Sequence, residues 1–143
     1  MRGNLTIAIL TIATLMLGGG GADAQIAPLY PVKDCSQLTT QMELNQCAGA
    51  NDQAADAALN KLYRQVMADQ TDAASKARLT EAERAWIAYR DKECAYEVGP
   101  QQDGGSIWPM EMSNCLEAVT AARLAELMKL RGCTAGVSAC NPH

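Results

Sequence analysis

Leu79–Cys94, LTEAERAWIAYRDKEC, sets Leu79, Ala82, Trp86, Tyr89, Arg90 and Cys94 three or four residues apart. That spacing lines one side of an α-helix, as expected of the central helix of a small bundle. The inner side would then combine an indole anchor, a charge and a covalent staple. No catalytic set lies in the stretch.

Upstream, Thr40 with Glu43 forms a capping box, in which hydroxyl and carboxylate satisfy backbone donors at a helix start. Leu44, Cys47, Asn51, Ala54, Ala58, Leu62 and Val66 then continue one face, with Gly49 and Asn51 as weak points that leave a kinked, a broken or a continuous helix open. Thr71 and Asp72 make a short turn, so the first two helices should run antiparallel. Downstream, Val98-Gly99-Pro100 is a stop signal, and Gln101–Gly105 reads as a flexible loop. Ser106 is placed to cap a third helix with Pro109 in its first turn, and Met112, Cys115, Leu116, Val119, Arg123, Leu127 and Leu130 supply its stripe up to Gly132. No strand pattern appears, and the expected fold is an all-α, up-down-up three-helix bundle stapled by disulfides.

The ends of the chain differ from this middle. Residues 1–24 join one positive charge (Arg2), an apolar run and the small-x-small sequence Ala22-Asp23-Ala24, the form of a secretory signal peptide. The run falls short of the roughly 20 apolar residues that cross a bilayer. Residues 25–38 read as an extended, proline-containing lead-in, residues 39–132 as the helical domain, and residues 133–143 as a tail. Cleavage after Ala24 removes one charge of each sign and leaves the formal net charge at −4. Without a basic cluster, nucleic acid is excluded as a partner, while a basic protein is compatible.

Six cysteines, at 35, 47, 94, 115, 133 and 140, point to disulfides in an exported domain and hence a periplasmic or secreted address. No pair has CxxC spacing and the lone histidine is His143, so neither a metal site nor a cofactor is expected. The up-down-up order gathers Cys35, Cys47, Cys94 and Cys115 at one pole. Local pairing, Cys35–Cys47 and Cys94–Cys115, is preferred, with Cys47–Cys94 and Cys35–Cys115 the geometric alternative. A Cys133–Cys140 bridge would close the tail.

Several spaced motifs agree in order with one family. Glu43-Leu44-Asn45-Gln46-Cys47, Asp56-x-x-Leu59-Asn60-x-x-Tyr63, Ala85-Trp86-Ile87-x-Tyr89-Arg90-Asp91-x-x-Cys94, Gly104-Gly105-Ser106, Cys115 and Thr120-x-x-Arg123 together resemble the LprI-like lysozyme inhibitor family. The resemblance spans about Asp34 to Leu130. It implies a small helical, disulfide-bonded exported domain, some of whose relatives inhibit lysozyme.

Candidate sites follow from both readings. No Ser-His or Cys-His pair exists, and the carboxylates Glu43, Asp56, Glu81, Glu83 and Glu117 fall at spacings that suit solvated faces, so an enzyme is not expected. Arg90 and Arg123, with Asp56 facing them and Trp86, Tyr63 and Tyr89 alongside, read as a structural network fixing helix register. Asp103, Gly104, Gly105, Ser106, Ile107 and Trp108 read as a polar loop on a disulfide-tethered base. Under the resemblance, this loop would plug the cleft of lysozyme or another basic cell-wall hydrolase while the acidic surface steers the partner. The alternative is an envelope immunity or structural protein with a different partner, the loop then being an ordinary connection.

Overall fold

The computed structural model describes residues 29–134. The expected signal peptide and the expected Cys133–Cys140 bridge lie outside the described residues. Three long helices, α1 (Gln41–Asp69), α2 (Ala73–Val98) and α4 (Trp108–Thr134), are joined by a tight turn and by a short helical segment, α3 (Gln101–Gly104), continued by a 3-10 turn over Gly105–Ile107. Among the described residues there is no strand, and the domain is all-α.

Local chemistry sets the helix boundaries. Thr40 Oγ1 accepts from the Glu43 amide and the Glu43 carboxylate accepts from the Thr40 amide, closing the capping box at the start of α1. The Thr40 hydroxyl also donates to the Glu43 carboxylate at 2.6 Å, and this bond, followed by the one from the Thr40 amide, holds the Glu43 carboxyl below its ordinary pKa. Asp72 Oδ1 accepts from the Ser75 amide at 2.7 Å and starts α2. Gly99, at φ 74°, ends α2 in a conformation that a Cβ would strain.

α1 is continuous through Gly49. Asn51, the polar residue in its apolar stripe, is buried because it holds the lead-in: Oδ1 accepts from the Lys33 amide at 2.8 Å and Nδ2 donates to the Lys33 carbonyl at 3.1 Å. The weak point in the stripe is thus a clamp on the lead-in. The lead-in also contributes to the core. Tyr30 is buried among Ala55, Leu59, Leu62, Val66, Leu124 and Leu127, and its hydroxyl donates to Glu117 at 2.9 Å. Burial, reinforced by that carboxylate, pushes the Tyr30 hydroxyl up to about 12.

α1 packs along α4, and α2 packs on α4; α1 and α2 barely approach each other despite their short connection. Two bridges, Cys35–Cys47 and Cys94–Cys115, sit at the pole where α1 and α4 begin and α2 ends. Two other expectations change. Ser106 makes no cap bond and lies inside the 3-10 turn, and α4 runs past Gly132 to Thr134. Thr120 on α4 is fully buried, and its Oγ1 finds no hydrogen-bond partner among the described residues.

Candidate functional site

The helical connection at the disulfide pole is built from inward and outward parts. Trp108 is half-buried, and its indole N–H donates to the Gly99 carbonyl at 3.0 Å. Gly104 makes room for that ring, since a Cβ there would lie 2.7 Å from Trp108 Cδ1. The Ser106 carbonyl accepts from Asn45 Nδ2 at 3.0 Å, tying the turn to α1. Asp103, Gly105, Ser106 and Ile107 face solvent. The stretch read from sequence as a loop is therefore a pinned helical turn, with Trp108 as its support and Ile107 as its exposed apolar group.

Charge is distributed very unevenly around that turn. The half of the bundle nearest the disulfides, residues 33–55 and 86–121, holds nine acidic side chains: Asp34, Glu43, Asp52, Asp91, Glu93, Glu97, Asp103, Glu111 and Glu117. Against them stand Lys33, Arg90 and Lys92, a balance of −6. The opposite half, residues 56–85 and 122–134, has six acidic and eight basic side chains, a balance of +2. The mild overall charge thus conceals a strongly acidic pole. Crowding has a local effect there: burial raises the Asp52 pKa, with Asp56 and Glu117 adding to it and Arg90 opposing it.

The second grouping lies on the flank, where α1 and α2 diverge. Trp86 packs against the core, with the Arg90 guanidinium 5.3 Å and that of Arg123 5.9 Å from its ring centre. Arg123 pairs with Glu83 at 2.9 Å and with Glu126 at 2.9 Å. Burial opposes the Arg123 charge, yet its bonds to Glu126 and Glu83 outweigh it and raise its pKa. Arg90 pairs with Asp91 at 2.8 Å and with Asp56 at 3.6 Å.

Several residues take places that the sequence reading did not give them. Asp56 pairs with Arg90 and not with Arg123, whose partners are Glu83 and Glu126. Glu83 is buried at 8% exposure, not solvated, because it turns to a cation 40 residues away. Tyr89 and Ala82 are exposed, so the inner side of α2 is Leu79, Glu83, Trp86, Arg90 and Cys94. Tyr63 packs against the core and its hydroxyl donates to Thr80 Oγ1 at 3.4 Å.

Between α1 and α2 these side chains leave a cleft of about 270 Å³. A larger depression, about 780 Å³, runs between α1 and α4 at the far end, floored by Leu62 and Leu124. It is bordered by Leu29 and Gly132, next to where the described chain begins and ends. Lys61, Gln65, Asp69 and Arg131 also line it, and Arg131 donates to Asp69 at 3.1 Å and to Gln65 at 3.0 Å.

A family model described as lysozyme inhibitor LprI matches residues 33–127, which take in both bridges, the pole and the flank cleft. The chain belongs to the lysozyme inhibitor LprI family. One relative, an uncharacterized protein of Rhizobium meliloti (strain 1021), is 42% identical over 112 residues, covering 70% of this chain and 80% of its own. No solved structure matches. The two bridges fit an oxidising compartment, and no described helix is long and apolar enough to cross a membrane. Among the described residues no cluster of His, Cys, Asp or Glu is arranged to hold a metal ion.

Proposed function

We propose that this LprI-family domain is an exported, non-catalytic inhibitor that docks a basic cell-wall hydrolase of the lysozyme type with its acidic pole. The observation that carries the reading is the concentration of −6 around a pinned, solvent-facing turn. A basic partner is drawn to that end and turned toward it before contact, which raises the association rate more than the final affinity.

Contact then falls to Asp103, Gly104, Gly105, Ser106 and Ile107, with Met42 at the start of α1 as a second exposed apolar side chain, 67% exposed. Trp108 acts from behind, holding the turn against Gly99. Because the turn is already ordered and tethered by Cys94–Cys115, little entropy is lost when it enters a cleft. An open flexible loop would lose more.

The test is inhibition of several lysozyme types in a cell-wall lysis assay, using the oxidised chain from Gln25 to His143 at low and high salt. Asp103→Lys with Glu111→Lys should slow association by about tenfold at low salt, and the difference should shrink as salt screens the field. Glu81→Lys, on the opposite half, should change little. Equal inhibition by the pole-reversed variant would remove the steering reading. No inhibition of any lysozyme by the folded chain would transfer the pole to a different basic partner, as in an immunity protein.

A further inference from the structure

The cleft between α1 and α2 plays no part in that reading. Asp56 lies 13 residues along α1 from Glu43, about 20 Å at the rise of an α-helix, so the cleft stands at the border of the acidic half, away from the turn. Its two walls differ in chemistry. The α1 wall presents Asp56, Asn60 and the Tyr63 hydroxyl, and the α2 wall presents Thr80, Arg84 and Arg90. Leu59 and Trp86 provide apolar surface between them.

The polar groups are held before any ligand arrives. Asn60 Nδ2 donates to Asp56 Oδ2 at 2.7 Å and to the Asp56 carbonyl at 2.9 Å, fixing the carboxylate from one side while Arg90 approaches from the other. Arg90 is itself held by Asp91 and by the indole. The Tyr63 hydroxyl donates to Thr80 Oγ1 at a long 3.4 Å and is weakly engaged. Arg84 reaches only the exposed Glu81, in a surface pair of little energetic weight.

These features select against an ion. Asp56 and Glu83 balance Arg84 and Arg90 along the lining, so a ligand of either charge would meet repulsion as well as attraction there. A neutral ligand with several hydroxyls only adds bonds, since each hydroxyl both donates and accepts and can meet an acid wall and a guanidinium wall at once. Its C–H faces would lie against Leu59 and the rings of Tyr63 and Trp86. A cleft of about 270 Å³ is smaller than a drug-sized pocket and suits one six-membered ring.

We propose that the α1–α2 cleft binds a single neutral saccharide ring. The reading does not depend on the inhibitor role, and its assay contains no lysozyme, so either can fail without the other.

The experiment is a titration of the oxidised, isotope-labelled chain with N-acetylglucosamine and with methyl glucoside, followed by amide NMR shifts, with glutamate and lysine as charged comparators. At least one sugar should shift amides of residues 56–63 and 80–90 with a millimolar Kd. Asn60→Ala and Arg84→Ala, both at exposed positions, should each weaken that binding by about tenfold, the loss of one good hydrogen bond. Asp103→Lys should leave it unchanged. No shift with either sugar in a folded chain, shifts indifferent to both cleft variants, or tighter binding of glutamate or lysine at the same amides would each overturn the proposal.

Discussion

α1 and α4 are joined by apolar burial, whereas α2 is joined to them by almost everything else. Of the buried core residues, Ala55, Leu59, Leu62 and Val66 come from α1 and Leu124 and Leu127 from α4, with Tyr30 closing over them; α2 supplies Leu79 alone. Its other attachments are an indole beside two guanidiniums, the Glu83–Arg123 pair and the Cys94–Cys115 bridge. A helix held this way keeps a polar inner side, and that is why a cleft lined with hydrogen-bonding groups exists on its flank. Apolar packing would have closed it.

The contrast can be broken most forcefully from the apolar side. Leu127→Ala should cost about 3–5 kcal/mol, because Leu127 is only 1% exposed and its removal leaves a cavity at the centre of the α1–α4 contact. Chemical denaturation should show one cooperative transition moved to lower denaturant. A loss under 1 kcal/mol would mean that this core is looser than its burial implies.

The bridge sharpens the contrast from the other side. Replacing Cys94 and Cys115 together by serine should cost about 3 kcal/mol for a closure of 21 residues, and amide exchange should accelerate most along α2. Uniform acceleration over all three helices would show that α2 is not separately held.

The Glu83–Arg123 pair tests the polar attachment. Arg123→Met leaves Glu83 charged and buried without its cation, and should cost about 2–3 kcal/mol. Adding Glu83→Leu should recover most of that, since the penalty lies in the orphaned charge. A double variant no better than the single would locate the loss in the Arg123 contact with Trp86 instead. Thermal unfolding of the three chains settles it.

The smallest effect concerns pH. Tyr30 keeps its proton up to about 12 in the folded state, against 10.0 ordinarily, so its contribution is complete below pH 10.0 and is lost as pH rises toward 12. Tyr30→Phe should flatten that alkaline slope. An unchanged slope would place the sensitivity outside the α1–α4 core.

Legibility in sequence follows the same division. The capping box at Thr40 and Glu43, the stop at Gly99 and the local order of the helices depend on neighbours a few residues away, and they can be read directly. Glu83 could not be placed. Leu79-Ala82-Trp86-Tyr89 and Leu79-Glu83-Trp86-Arg90 are both helical stripes, and a rule that turns carboxylates outward prefers the first. Only Arg123, on another helix, makes the second the lower in energy. Tyr30 escaped for a similar reason, since a lone aromatic between prolines has no periodicity to declare its burial. For the candidate sites, side-chain composition was legible in Asp103–Trp108, but the inward turn of Trp108 required the backbone position of the Gly99 carbonyl. The cleft is a gap between helices, and no local pattern encodes a gap.

The unequal halves of the bundle also make the molecule a dipole, with consequences for its own crowding. In dilute buffer the acidic pole of one copy attracts the basic half of the next, a head-to-tail contact that joins unlike surfaces and does not close on itself. Concentrated samples at low ionic strength should therefore grow loose chains, visible as scattering that rises with concentration. At about 0.15 M salt the field reaches only about 8 Å and the chains should dissolve into monomers. The ionic strength of its surroundings would then govern how many acidic poles stand free.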